Sequence, residues 1–273
     1  MANPPRFKTE HQNRIVEIFR KLHSGRHNYW TVWYDFVTMA ACSLSYADVA
    51  RREERERLYA ETSKKYTESE LNMFAEMFSE VILGFEENPD QDLLGEIFMR
   101  LELGSGHKGQ FFTPYNVCKA MASISAGDLK AEIDKRGYIS VNDPCCGAGA
   151  LLIAFANEAK RQGINYQQCI EFVAQDIDFT VAMMCYIQLS LLVCAGYVIV
   201  GNSLLPPDPE EKQNIWYTPL YFLKTWHWRR TFKALSRMTE KAEAQKQADK
   251  PEEKEPEKKY PFKVCANGQL SLF

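Results

Sequence analysis

The chain lacks a run of apolar residues long enough to span a bilayer. Its longest nearly apolar stretch, Phe179 to Val200, is broken by Gln188, Ser190 and Gly196 and reads as a buried helix leading into a strand. No apolar core follows Met1-Ala-Asn-Pro-Pro-Arg, so no secretory signal is expected. Cysteine is not scarce, with eight residues, but no C-x-x-C pair is among them, and a reduced cytoplasm suits them best. Excess positive charge is missing too. The net charge of −3 gives no global field for nucleic acid, so any such contact needs a local basic patch. What remains is ordinary globular composition, 45% hydrophobic and 25% charged over 273 residues, enough for one large or two modest domains.

The organising stretch runs from Ile139 to Phe155. Ile139 and Val141 alternate as in a strand that stops at Asp143-Pro144, and Gly147 and Gly149 follow. Leu152, Phe155, Ala156 and Ala159 then recur at helical spacing. Strand, glycine turn and helix start make the first βα unit of a nucleotide-binding sheet. Glycine lets a ligand approach the backbone, and the helix N-terminus offers unpaired N–H groups to an anionic group such as a carboxylate.

Asp143-Pro144-x-x-Gly147-x-Gly149 followed by Leu151-Leu152-Ile153 resembles the first cofactor motif of N6-adenine DNA methyltransferases, above all the methylation subunit of type I restriction–modification systems. Gly109-Gln110-Phe111-Phe112-Thr113-Pro114 is similar to that family's other cofactor segment, in the family's order and spacing. The resemblance implies S-adenosyl-L-methionine as cofactor, held by Gln110, Phe111, Phe112, Thr113, Pro114, Asp143, Gly147, Ala148, Gly149 and Ala150. After a second strand, Phe172 to Ala174, Asp176 stands where a carboxylate can accept from both ribose hydroxyls. Asp178 equally suits a helix N-cap. A third strand, Tyr197 to Val200, leads to Asn202, where relatives usually carry an acid that contacts adenine. Asn202 departs from that pattern but can still donate and accept. Cys145 and Cys146 read as turn-packing residues.

The expected fold class is α/β: a partial Rossmann-like methyltransferase sheet preceded by a helical N-terminal domain. Expected boundaries are a helical domain over 1–104, a cofactor-binding domain over 105–238 and a charged tether over 239–273. Within the first, helices are expected near His11 to Leu22 and after the capping box Thr67 to Glu70, where Leu71, Phe74, Phe78 and Ile82 form the apolar face. Trp30, Val32, Trp33, Phe36 and Val37 read as core, and Asp92 to Met99 starts a further helix. His23 and His27 have metal-ligand spacing but no third ligand, so no metal is expected. Thr113-Pro114 suits the start of a helix whose apolar face is Val117, Met121 and Ile124.

The resemblance stops after Leu205. The family's Asn-Pro-Pro-Phe or Asp-Pro-Pro-Tyr, which holds the flipped base, is absent. Pro206-Pro207 lacks the flanking residues, and Asn214 to Pro219 has neither the order nor a preceding strand. No apolar runs are left for the later strands of a full sheet. Tyr221 to Arg237 reads as a helix with Trp228, Phe232 and Leu235 on an apolar face. Its basic residues Arg229, Arg230, Lys233 and Arg237 suit a phosphate backbone, or the helix may simply pack on the core. Glu240 to Lys259, mostly Glu and Lys, reads as a disordered tether. It carries Gln269-Leu270-Ser271-Leu272-Phe273, which resembles the bacterial sliding-clamp binding motif, with Gln269 at the groove edge and Leu272 and Phe273 in an apolar pocket. The alternative is a tail docked on its own domain. Two functions are therefore carried: a DNA adenine methyltransferase that needs a specificity or catalytic partner subunit, and a non-catalytic adaptor tethered to the clamp on DNA.

Overall fold

The structure is a computed structural model. It describes residues 7–23, 27–103, 112–204, 214–223, 225–226, 228–232, 235–236 and 238–239, with the backbone of 263–264 and 270–271. Its contacts group the chain into two units, Met1–Trp228 and Arg229–Phe273.

Five helices open the first unit: α1 (Glu10–His23), α2 (Tyr29–Leu44), α3 (Arg52–Ser63), α4 (Glu68–Glu87) and α5 (Leu93–Arg100). Each start has a local cause. The Asn28 side chain accepts from Trp30 N and Thr31 N at the head of α2. Thr67 and Glu70 close the expected capping box at the head of α4. Ile15, Ile18, Phe19 and Leu22 of α1 are buried, and the aromatic core is built from Phe19, Trp33, Phe36 and Phe98. Two expectations fail in detail. Trp30 is 43% exposed and lies off the core face of α2. The face α4 buries is Phe74, Met77, Val81 and Phe85, while Leu71, Phe78 and Ile82 flank it half-buried.

The sheet follows α6 (Tyr115–Ala126) and α7 (Leu129–Arg136). Strand β1 (Ile139–Asp143) leads through α8 (Ala150–Arg161) and the short α9 (Tyr166–Cys169) to β2 (Ile170–Asp176). Helix α10 (Phe179–Leu191) then crosses to β3 (Ala195–Val200). The three strands are parallel in the order β1-β2-β3, with Val141 beside Phe172 and Ala174 beside Val198. The order advances one way only, so right-handed crossovers put α8 and α10 on the same face. Helix α10 is buried all round because α2 covers its outer side.

A fourth strand, β4 (Ile215–Tyr217), was not expected from the sequence. It pairs antiparallel with β3, Val198 opposite Trp216, at the sheet edge remote from β1. Trp216 is buried there beneath the Arg55 guanidinium, 3.4 Å above its ring. Parallel sheets are normally covered on both faces. Here the second face carries exposed Ser140 and Asn142 and half-buried Val173, Gln175 and Ile199, and β1 pairs with β2 alone among the described residues.

Helix α6 packs against α8 through Cys118, Ala122 and Ala126. The expected face is the opposite one: Val117, Met121 and Ile124 are exposed, Ile124 at 83%. In the stretch read as a helix over Tyr221 to Arg237, Pro219–Phe222 is a 3-10 turn and helical residues begin at 225. Trp228, Phe232 and Leu235 of the expected apolar face are exposed. In the second unit, β5 (Lys263–Val264) pairs antiparallel with β6 (Leu270–Ser271). No helix among the described residues is long and apolar enough to cross a membrane.

Candidate functional site

The site gathers at the carboxyl ends of β1, β2 and β3. Gly147 and Gly149 adopt φ +51° and +92°, the left-handed region that favours glycine. A Cβ on Gly149 would lie 2.7 Å from the Cys185 sulfur, and one on Gly147 would lie 3.3 Å from the Phe112 ring. Cys146 N donates to Gln175 O (2.9 Å), which joins the turn to β2. Cys146 itself is buried, and its thiol is pushed well up by contact with Cys185 and by burial. Cys145, in contrast, is exposed and packs nothing in the turn, its sulfur 3.9 Å from Ser203 Oγ.

Asp176 occupies the end of β2 as expected, but both of its oxygens serve the backbone. Oδ2 accepts from Gly147 N (2.9 Å) and Oδ1 from Asp178 N (3.0 Å). Asp178 is the N-cap of α10, accepting from Thr180 N and Val181 N. Asp143 accepts from Cys145 N, and burial, with the nearby Asp176 charge, pushes its carboxyl up.

Two cavities meet here. One of about 250 Å³ is lined by Phe112, Thr113, Asp143, Gly147, Ala148 and Ala150, among others. Six of the residues singled out from the sequence thus share one wall. A second, of about 450 Å³, lies beside it between α1, α5 and the start of α6, and includes Pro114. Phe112, stacked on Phe98 at 5.5 Å, and Thr113 line both. Gln110 and Phe111 lie outside the described residues. Pro114 precedes α6 without a side-chain cap from Thr113. Asn202 lines neither cavity, and its side chain accepts from Leu204 N in the turn after β3.

Two residues were given no part in the site from the sequence. Asp92 borders both cavities, only 4% exposed, and caps α5 by accepting from Gly95 N (3.1 Å). Gln188, fully buried on α10, donates to Asp92 Oδ1 (2.8 Å) and to Ala148 O (2.8 Å) and accepts from Leu94 N. It therefore ties α5 to the glycine turn. The one sequence signal was Asp92 three residues before Gly95, where a Cβ would fall 2.1 Å from the carboxylate.

Of the basic residues singled out for nucleic acid, Arg229 and Arg230 are half-buried, while Lys233 and Arg237 fall outside the described residues. Leu270 and Ser271 lie in β6, and Gln269, Leu272 and Phe273 lie outside the described residues. No group of metal-ligating side chains occurs among the described residues.

A glycine turn after the first strand of a parallel sheet, with an acid closing the second, defines a nucleotide-binding α/β class. The family follows: the model for N-6 DNA Methylase matches residues 90–251, more than half of the chain, and the chain belongs to that family. No curated protein matches it.

Proposed function

We propose that this chain is the S-adenosylmethionine-binding half of an adenine-N6 DNA methyltransferase of restriction–modification type, completed by a partner subunit. The carrying observation is the cavity at the end of β1. The left-handed Gly147, the first residues of α8 and Phe112-Thr113 line it, which suits a nucleoside with an amino-acid tail. When bound, the cofactor supplies a methyl group on a sulfonium. The chain's residues would hold it: the α8 N-terminus at the carboxylate, Phe112 to Pro114 over the methionine end, Asp176 at the ribose and Asn202 towards adenine.

The need for a partner is supported by what surrounds this cavity. In doubly wound sheets the ligand crevice lies at a switch point, with strands on both sides of β1. Here, among the described residues, β1 has a neighbour on one side only, one sheet face is partly bare, and α6 exposes Val117, Met121 and Ile124. Among the described residues, 201–273 supply to this sheet β4, on the edge remote from β1. A partner strand running parallel to β1 would bring base-holding residues to the cavity. Seven free cysteines among the described residues suit a reducing cytoplasm.

Calorimetry with S-adenosylmethionine on the purified chain tests the reading. Saturable binding is expected, and none at millimolar cofactor would overturn it. The second reading is the clamp adaptor. It is favoured by the extended backbone of Leu270-Ser271 within the Gln269 to Phe273 motif, and it predicts clamp binding without methyl transfer.

A further inference from the structure

Asp92 is a buried carboxylate with no cationic partner among the described residues. Its Oδ1 takes both hydrogen bonds, from Gly95 N and Gln188 Nε2, and Oδ2 accepts from none of the described residues. Burying an ionised carboxylate in that state is costly, and proteins normally compensate it with a paired charge. Among the described residues no Lys or Arg side chain forms an ion pair with Asp92, and Glu96, on its own helix, is of the same sign. An N-cap alone does not require this burial, since Asp128 caps α7 as an exposed residue.

The placement supplies the missing partner. Asp92 lines the 250 Å³ cavity together with Gly147 and Ala148 of the glycine turn, and Gln188 fixes it there by holding Asp92 Oδ1 and Ala148 O with one amide nitrogen. The amino-acid end of the cofactor carries a carboxylate and an ammonium on one carbon. With the carboxylate at the α8 N-terminus, the ammonium on the same carbon needs an anion within the cavity lining. Resting on the cofactor reading above, we infer that Asp92 is the acceptor for the α-ammonium of the cofactor's methionine end, with Gln188 as its positioning residue. This assigns recognition of the ligand to α5, outside both glycine-flanked segments. Gly95 is then the residue that makes room for the carboxylate.

The test compares S-adenosylhomocysteine with its analogue bearing hydrogen in place of the α-amino group, by calorimetry on the full chain. Neither ligand has a sulfonium, so the comparison isolates the ammonium. Wild type should prefer the amino-bearing ligand by roughly 10- to 100-fold, the range of a charge-assisted hydrogen bond. Asp92→Asn keeps an acceptor oxygen for Gly95 N and Gln188, and should lose the preference without a fall in melting temperature. Should it not melt cooperatively, Asp92→Ser, a shorter N-cap, replaces it. An unchanged preference in the variant overturns the assignment. So does an Asp143→Asn variant that erases it, because the ammonium would then lie at the strand end. If wild type binds neither S-adenosylmethionine nor S-adenosylhomocysteine, the cofactor reading falls and takes this one with it, an outcome plainly different from a wild type that binds and a variant that binds alike.

Discussion

Gly149 is the residue at which the turn is least negotiable. Its φ of +92° and the 2.7 Å approach of a Cβ to Cys185 act together, and both are independent of any ligand. Gly149→Ala should therefore destabilise the chain by roughly 1–3 kcal/mol in urea melts. Gly147→Val is a poorer probe of the cofactor, because a Cβ there meets the Phe112 ring in the protein itself. Asp92 makes a second prediction. Its carboxyl is pushed up to about 6, first by burial, which outweighs the lowering hydrogen bonds from Gln188 and Gly95 N. Folding thus favours its protonated form. The stability it contributes is complete below the unfolded value near 4 and is lost as pH rises through 6. Between pH 7 and pH 5 wild type should gain more stability than Asp92→Asn, the difference approaching about 1–2 kcal/mol. A variant with the same pH slope as wild type would show that the carboxyl is not strained by burial. The glycine turn, Asp176 and Asp178 were legible because each acts within a few residues of its own strand. Asp92 and Gln188 were not, since they meet across 96 residues of sequence.

At the scale of elements, helix positions were legible and their inner faces less so. Helix α6 shows why. It is apolar on two sides, and the larger side chains, Val117, Met121 and Ile124, point away from α8, while Cys118, Ala122 and Ala126 let the two helices approach closely. Periodicity finds a stripe but cannot say which of two stripes has a neighbour. The assignment yields opposite expectations for the two sides. Ile124→Lys should leave the stability of the isolated chain within about 0.5 kcal/mol, as an exposed substitution does. Ala122→Leu forces a larger side chain between packed helices and should cost about 1–3 kcal/mol. Urea denaturation of the two variants decides. A large loss in Ile124→Lys would mean that the stripe is already covered. Strand β4 escaped the sequence for a related reason: three residues give too short a pattern, and its burial comes from α10, Arg55 and β3.

For the whole molecule, pairing order is what the sequence least discloses. Two βα units and a third strand were legible, yet nothing local says that β1 pairs with β2 alone among the described residues and that β4 closes the other edge. That order sets the expectation for activity. The isolated chain should transfer no tritium from labelled cofactor to unmethylated DNA, because none of the described residues beside β1 is placed to hold a flipped base. Incorporation above background would place a divergent catalytic segment within these residues. Asn214 to Pro219 is a weak candidate for it, at the sheet edge remote from β1.

The C-terminal motif belongs to this scale as well, because its expected partner acts on DNA and not on the cofactor. As a clamp ligand, Gln269 to Phe273 anchors through Leu272 and Phe273, and two apolar side chains on a short peptide give roughly micromolar affinity. The contact units divide at Trp228–Arg229, so the motif lies in a different unit from the glycine turn. Deleting Leu272 and Phe273 should therefore abolish binding to a bacterial sliding clamp, measured by surface plasmon resonance, and leave calorimetric cofactor affinity unchanged. Binding to the clamp that survives the deletion would sink the assignment. A fall of several degrees in melting temperature would instead give the two residues to the protein's own core, since burial of a Leu and a Phe contributes about 1.5–3 kcal/mol each.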